Sequence, residues 1–248
     1  GDGTHLTDTL SQAPPKKKTC ALIIAGGDES PSAYRDRFIN GADFMKGNLT
    51  RERLGAQVHP DDVIVLTDPS PAEIQEAMRQ FRDSCETFYF VYTGHGGTYS
   101  MDTRDSSYLW YSLFIDLDSL NAENYQVMIS SCHAGAAIDN FDDLISRYRD
   151  ANMTIVASSA ADTSSYTQAI VTGSGDTITV SRYLWAFAQC YGDPAADRDG
   201  DGLTSFEEAH RWTVAQNPQI SWAGKGIVEV QRPQIRVHAR ATPSREAL

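Results

Sequence analysis

Two short stretches constrain the fold more than any other part of the chain: FYFVYTGHGG at Phe88–Gly97 and YQVMISSCHAG at Tyr125–Gly135. Each is an apolar run, rich in β-branched and aromatic residues, that stops abruptly at small residues. That is the pattern of a buried parallel strand ending in a loop. The first strand end carries His95 and the second Cys132. In open α/β sheets the carboxyl ends of the strands are where ligands and chemistry sit. Two neighbouring strands with these ends bring an imidazole and a thiol to one rim, as a cysteine nucleophile requires.

The remaining chain supplies the partners such strands need. Thr19–Gly27, Val63–Leu66 and Met153–Ala157 read as further strands. A helix is expected from Ala33 to about Leu54, with Phe38, Ala42, Met45 and Leu49 on one face, and another from Pro71, with Ile74, Ala77, Met78 and Phe81 as its buried stripe. The polar and aromatic stretch Thr98–Asn121 reads as a loop or short hairpin beside the site. After Cys132 a helix presents Ile138, Phe141, Ile145 and Tyr148. Thr172–Thr179 reads as a glycine loop, Val180–Cys190 and Ser205–Ala215 as helices, and IVEVQRPQIRV past Gly224 as a last strand. This alternation predicts an α/β fold, a mostly parallel sheet covered by helices on both faces. Residues 1–18 read as a flexible tail and 19–248 as one domain. No signal peptide is recognisable, and a start at Gly1 suits a processed or trimmed form.

Composition removes several function classes. A formal charge of -12 argues against nucleic acid as a partner, because phosphate binding needs a basic face. No apolar run approaches the roughly 20 residues that span a bilayer. Cys20, Cys85, Cys132 and Cys190 form no CxxC pair, which argues against zinc. With Cys132 as nucleophile, the other three allow at most one disulfide and leave one thiol over. Oligomeric state is not set by the sequence.

A thiol attacks only as thiolate, so it needs a nearby base or positive field. His95 can supply either, and Gly96-Gly97 leaves room for a peptide backbone. The amides of Gly96 and Cys132 are candidates for an oxyanion hole, and the helix after Cys132 would aim its N-terminus at the thiol. His133, adjacent to Cys132, should point to the opposite face and open that helix.

An apolar strand ending in His-Gly, followed by one ending in Cys-x-Ala-Gly, resembles the caspase-like clan of cysteine peptidases, and within it the legumain (asparaginyl endopeptidase) family. Ala33-Tyr34-Arg35, Ser158–Tyr166 with Ser164-Ser165-Tyr166, and Gly175-Asp176 are similar to that family's pocket stretches. Gly94, Ser130 and Ala33 depart from it, standing where legumains carry aspartate, glutamate and asparagine. The resemblance implies a caspase-like fold and cleavage of a peptide or protein substrate through a Cys132 thioester, with His95 as general acid and base. It also implies a pocket of Arg35, Ser158, Ser164, Ser165 and Asp176 that takes Asn or Asp. A transpeptidase using the same dyad and a non-catalytic calcium-binding module are the alternatives.

Residues 197–208, DRDGDGLTSFEE, satisfy the EF-hand pattern D-x-D-x-D-G-x5-E. Asp197, Asp199, Asp201, the Leu203 carbonyl, Ser205 and a bidentate Glu208 are the expected ligands of a structural calcium ion, with Gly202 at the sharp turn. Thr204 stands where a branched apolar residue is usual, and no second hand is visible. A calcium requirement suits a secreted or periplasmic location.

Overall fold

The computed structural model describes residues 18–27, 36–216, 221–224 and 227–241, and only the backbone of 221–224 and 227–230. A six-stranded sheet organises it, in the order 234–238, 152–157, 124–130, 85–93, 18–25, 63–67. The strands are β1 (Lys18–Ala25), β2 (Val63–Thr67), β3 (Cys85–Thr93), β6 (Asn124–Ser130), β7 (Asn152–Ala157) and β12 (Gln234–His238). Only β12 runs antiparallel, pairing with β7. β3 and β6 lie side by side in the centre, with Thr93 opposite Ser130, so both strands end at one level.

Each central strand is buried on both faces, which is why it reads as a continuous apolar run. On one face Phe88, Phe90 and Tyr92 of β3 pack with helices α2 (Pro71–Gln80), α3 (Trp110–Asp118) and α4 (Ala136–Leu144). On the other, Tyr89 and Val91 pack with α1 (Arg37–Leu49), α5 (Arg182–Ala188) and α6 (Phe206–Gln216). α2 starts as its sequence dictates, with Pro71 in the first turn and a capping box in which Ser70 and Glu73 satisfy each other's backbone amides. Its predicted stripe of Ile74, Ala77, Met78 and Phe81 is buried.

Several local expectations are corrected. Thr98–Asn121 holds the short hairpin expected there, β4 (Ser100–Thr103) with β5 (Ser106–Leu109), but also α3, whose Trp110, Leu113, Phe114 and Leu117 are fully buried. That is the i, i+3, i+4, i+7 spacing of a helix, overlooked among polar neighbours. The expected glycine loop at 172–179 is part of a second hairpin, β8 (Thr167–Val171) with β9 (Thr177–Ser181), and only 172–176 form its tip. The helix after Cys132 is α4 only to Leu144 and then tightens to a 3-10 turn over Ile145–Tyr148. The last strand is two: β11 (Ile227–Val230) pairs with β10 (Ser221–Gly224), and only β12 joins the main sheet. Arg232, at φ 48, and Pro233 separate them. α1 begins at Arg37 and ends at Leu49; Ala33, Tyr34 and Arg35 lie outside the described residues, as does the tail up to residue 17.

Cys20 and Cys85 form a fully buried disulfide across β1 and β3, at a sequence separation of 65. Cys190 is the buried thiol left over, and its pKa is pushed up by burial.

Candidate active site

His95 follows β3 by two residues and is exposed. Gly94 before it has a steric cause: a Cβ there would fall 2.3 Å from the Tyr92 hydroxyl, and Tyr92 is fully buried. The Tyr92 hydroxyl lies between the carbonyls of His95 and Asp102, and the Asp102 amide donates to the His95 carbonyl at 3.0 Å. The imidazole is therefore carried on a rigid turn. Its ring meets Phe38 edge-on, with centroids 5.1 Å apart, and its Nε2 lies 3.2 Å from Arg37 Nη2. A guanidinium can only donate, so Nε2 is the acceptor here and the ring proton belongs on Nδ1.

Cys132 follows β6 by two residues and is half-buried. A mesh of serines fixes its turn. Ser158 Oγ accepts from the Ser131 amide at 3.1 Å and lies 3.1 Å from Ser165 Oγ. Ser159 Oγ donates to the Ser131 carbonyl at 3.0 Å and accepts from the Ala134 amide at 3.2 Å. Buried Gln231 donates to Ser165 Oγ at 3.0 Å. The Ser165 amide in turn donates to Cys132 Sγ at 3.4 Å, a contact that serves a thiolate as well as a thiol. His133 is turned away at φ 56, with its Nδ1 2.9 Å from the Ala161 carbonyl.

The two turns touch. A Cβ on Gly96 would fall 2.6 Å from Ser131 Oγ and 3.2 Å from the Cys132 carbonyl, so only glycine lets the His95 turn lie this close. His95 and Cys132 line one open pocket of about 100 Å³, together with Arg37, Phe38, Gly94, Ser130, Ser131, Ser165, Tyr166, Thr167 and Ser181. Ser130 and Ser181 are buried and share a 2.8 Å hydrogen bond. Beside Ser130 in the sheet, the fully buried Thr93 Oγ1 has no hydrogen-bond partner among the described residues. Among the described residues the pocket thus offers one guanidinium and several hydroxyls, and no carboxylate lines it.

Three expectations for the site change. Asp176 is exposed at the tip of the β8–β9 hairpin, where Ser174 donates to it. The pocket meets the hairpin at its other end, the Thr167–Ser181 pair. Ser158 is fully buried behind the Cys132 turn and Ser164 is exposed; neither lines the pocket, whereas Ser165 does. The first amides of α4 are already taken, since those of Ala136, Ala137 and Ile138 bond back to the carbonyls of His133, Ala134 and Gly135 rather than to the thiol. Arg37, two residues after Arg35, is the guanidinium that lines the pocket among the described residues, and Arg35 itself lies outside them. The only sequence signal for it was the second arginine of YRDRF.

In the C-terminal loop the carboxylates of Asp197, Asp199 and Glu208 converge to within 4.8 Å of one another. Backbone amides preset them: Gly200 and Gly202 donate to Asp197, and Arg198, Asp199 and Ser205 donate to the two oxygens of Glu208. Asp201 is exposed and accepts from the Leu203 amide, and Ser205 Oγ donates to Glu208. An all-oxygen donor set of this charge fits a hard cation such as calcium. Thr204 is fully buried because its hydroxyl donates to the Leu54 carbonyl at 3.0 Å, while the Leu54 amide donates to the Gly202 carbonyl at 3.2 Å. The loop is thereby tied to the chain just beyond α1.

A solved structure, caspase-1 from Spodoptera frugiperda, matches with a TM-score of 0.58 and 16% identity, covering 89% of this chain and 88% of that one. At this identity the likeness concerns the fold. No match was found among curated proteins. A family model described as the caspase domain matches residues 18–239, from the first residue of β1 to just past β12. It does not single out the legumain branch. The chain belongs to the caspase-domain family of cysteine peptidases, and its sheet is the caspase-like α/β fold.

Proposed function

We propose that the chain is a cysteine endopeptidase that cleaves peptide bonds after Asp and, less readily, after Asn. The observation that carries the reading is that Cys132, His95 and Arg37 line one pocket. The Cys132 thiolate attacks the scissile carbonyl carbon, and the oxyanion faces the amides of Gly96 and Cys132. Collapse forms the thioester and expels the amine, which takes its proton from His95. His95 then deprotonates a water that attacks the thioester, and the thiol is regenerated.

Arg37 and the hydroxyls of Ser130 and Ser181 suit a side-chain carboxylate, which a guanidinium binds through two parallel hydrogen bonds. An amphoteric, Asn-selective pocket would need an acidic partner. Asp176, the candidate for that part, stands at the hairpin tip, which is why Asp ranks first. A peptide library varied at the residue before the cut tests this. Cleavage after Asp, abolished by Cys132→Ala, is the expected result. Strict cleavage after Lys or Arg would reject the pocket, and no turnover with an unreactive Cys132 would indicate a binding module.

The loop at 197–208 is proposed to hold one structural calcium. Saturation at about a hundred times the dissociation constant stabilises a protein by about 2.7 kcal/mol. Chelation should therefore lower the melting temperature of the wild type and leave Glu208→Gln unaffected. The buried disulfide supports an oxidising, secreted or periplasmic location.

A further inference from the structure

We infer that the segment Tyr99–Tyr111 is the docking surface for the part of the substrate that follows the scissile bond, and that it favours apolar or aromatic residues there. The inference rests on the peptidase reading and adds the departing half of the substrate to it. A peptide placed for attack by Cys132 has its acyl half anchored in the pocket of Arg37, Thr167 and Ser181. Its amine half must pass His95, the proton donor to the leaving nitrogen. Beyond His95 the chain runs directly through Gly96–Tyr99 into the β4–β5 hairpin.

Hydrogen bonds make the hairpin and the His95 turn one unit. Gly97 donates to the Ser100 carbonyl at 2.9 Å, and the Trp110 indole donates to the Gly97 carbonyl at 3.1 Å. The Trp110 amide donates to the Tyr99 carbonyl at 3.0 Å, which sets Tyr99 across from the corner where Leu109 leads into α3. Beneath it, Met101, Tyr108 and Trp110 are buried and hold the hairpin to the core.

The outer side is unlike the rest of the surface. Five large hydrophobic residues are exposed among the described residues, and three belong to this segment: Tyr99 at 76%, Leu109 at 49% and Tyr111 at 50%. Exposed apolar surface held by hydrogen bonds to the turn that carries His95 has the character of a binding site. Charge argues in the same direction. The ionisable groups exposed on the hairpin are Asp102, Arg104 and Asp105, and Arg104 is already bonded to Glu73 and near Asp105. Acidic residues after the cut are accordingly disfavoured.

Internally quenched peptides that share every residue up to the cut test this, with Leu-Phe, Ala-Ala or Asp-Asp after it. The wild type should prefer Leu-Phe to Ala-Ala by about tenfold in kcat/KM, the scale of one or two apolar contacts, and should disfavour Asp-Asp. Tyr99→Ala and Tyr111→Ala should each move the first ratio toward one, with Leu109→Ser as a second probe and thermal melting as the folding control. A coumarin amide with the same acyl half assays the wild-type peptidase reading by itself. Coumarin release with a flat peptide series overturns the docking surface and leaves the peptidase reading standing. Silence on coumarin and peptides overturns both. A ratio that survives in all three folded variants also overturns the surface, as does a flat series with a homodimer that Tyr99→Ala dissociates.

Discussion

Replacing Arg37 by glutamine removes the guanidinium from the His95 ring and from the pocket at once. Charge-assisted hydrogen bonds are each worth about 1.5–3 kcal/mol, so kcat/KM toward an Asp substrate should fall by about ten- to a hundredfold. The Asn substrate should lose less, and Asp176→Asn should leave both within about twofold, as expected of a surface substitution away from any site. Steady-state kinetics on the two substrates reads all three outcomes. The residues that were legible in sequence are those whose position follows from a strand end: His95 and Cys132 stand where an apolar run stops. The pocket was not legible in this way. Its walls come from Arg37, Ser130, Ser165–Thr167 and Ser181, which only the path of the chain brings together. The serines around Cys132 divide by burial, and sequence does not reveal that Ser158 is fully buried while the Ser165 amide donates to the thiol.

Between α5 and α6 the Tyr183 hydroxyl and His210 Nδ1 share a buried hydrogen bond of 2.8 Å. Burial, aided by Arg211, lowers the His210 pKa to about 4. The unfolded chain binds this proton near the ordinary value of about 6.5, so between those values it holds more protons than the native state. Stability must therefore fall as the pH drops through that window, by up to about 3 kcal/mol. Urea unfolding at pH 7 and pH 4.5 measures it, and His210→Gln should flatten the difference. An unchanged slope in that variant would assign the acid sensitivity to other groups. Elements with a clean period were readable, as α2 and the central strands illustrate. α3 was hidden because Ser and Asp sit between its four buried residues, and β8–β9 because Gly, Ser and Thr at its tip read as a loop. The final strand misled because β-propensity continues through a residue, Arg232, whose backbone is left-handed.

For the molecule as a whole, the alternation of strands and helices was enough to give a mostly parallel sheet with two helical layers. The antiparallel β12 was not foreseen, because strand direction depends on how the chain returns to the sheet. Nor could sequence choose among three cysteines; pairing of β1 with β3 does, since it sets Cys20 and Cys85 at a Cα separation of 5.9 Å. Closing a loop of 65 residues restricts the unfolded chain by about 4 kcal/mol in the loop-entropy account. The Cys20→Ala/Cys85→Ala double variant should lose about that much in urea unfolding. The same pair has a consequence for the protein's history. Both sulfurs are fully buried, so a reductant reaches them only when the sheet opens. The link should then behave hysteretically, forming only if the chain folds in an oxidising medium yet persisting after transfer to a reducing one. Thiol release by dithiothreitol should be slow from native protein and fast in denaturant. Two molecules of identical sequence would differ in resilience according to where each was made.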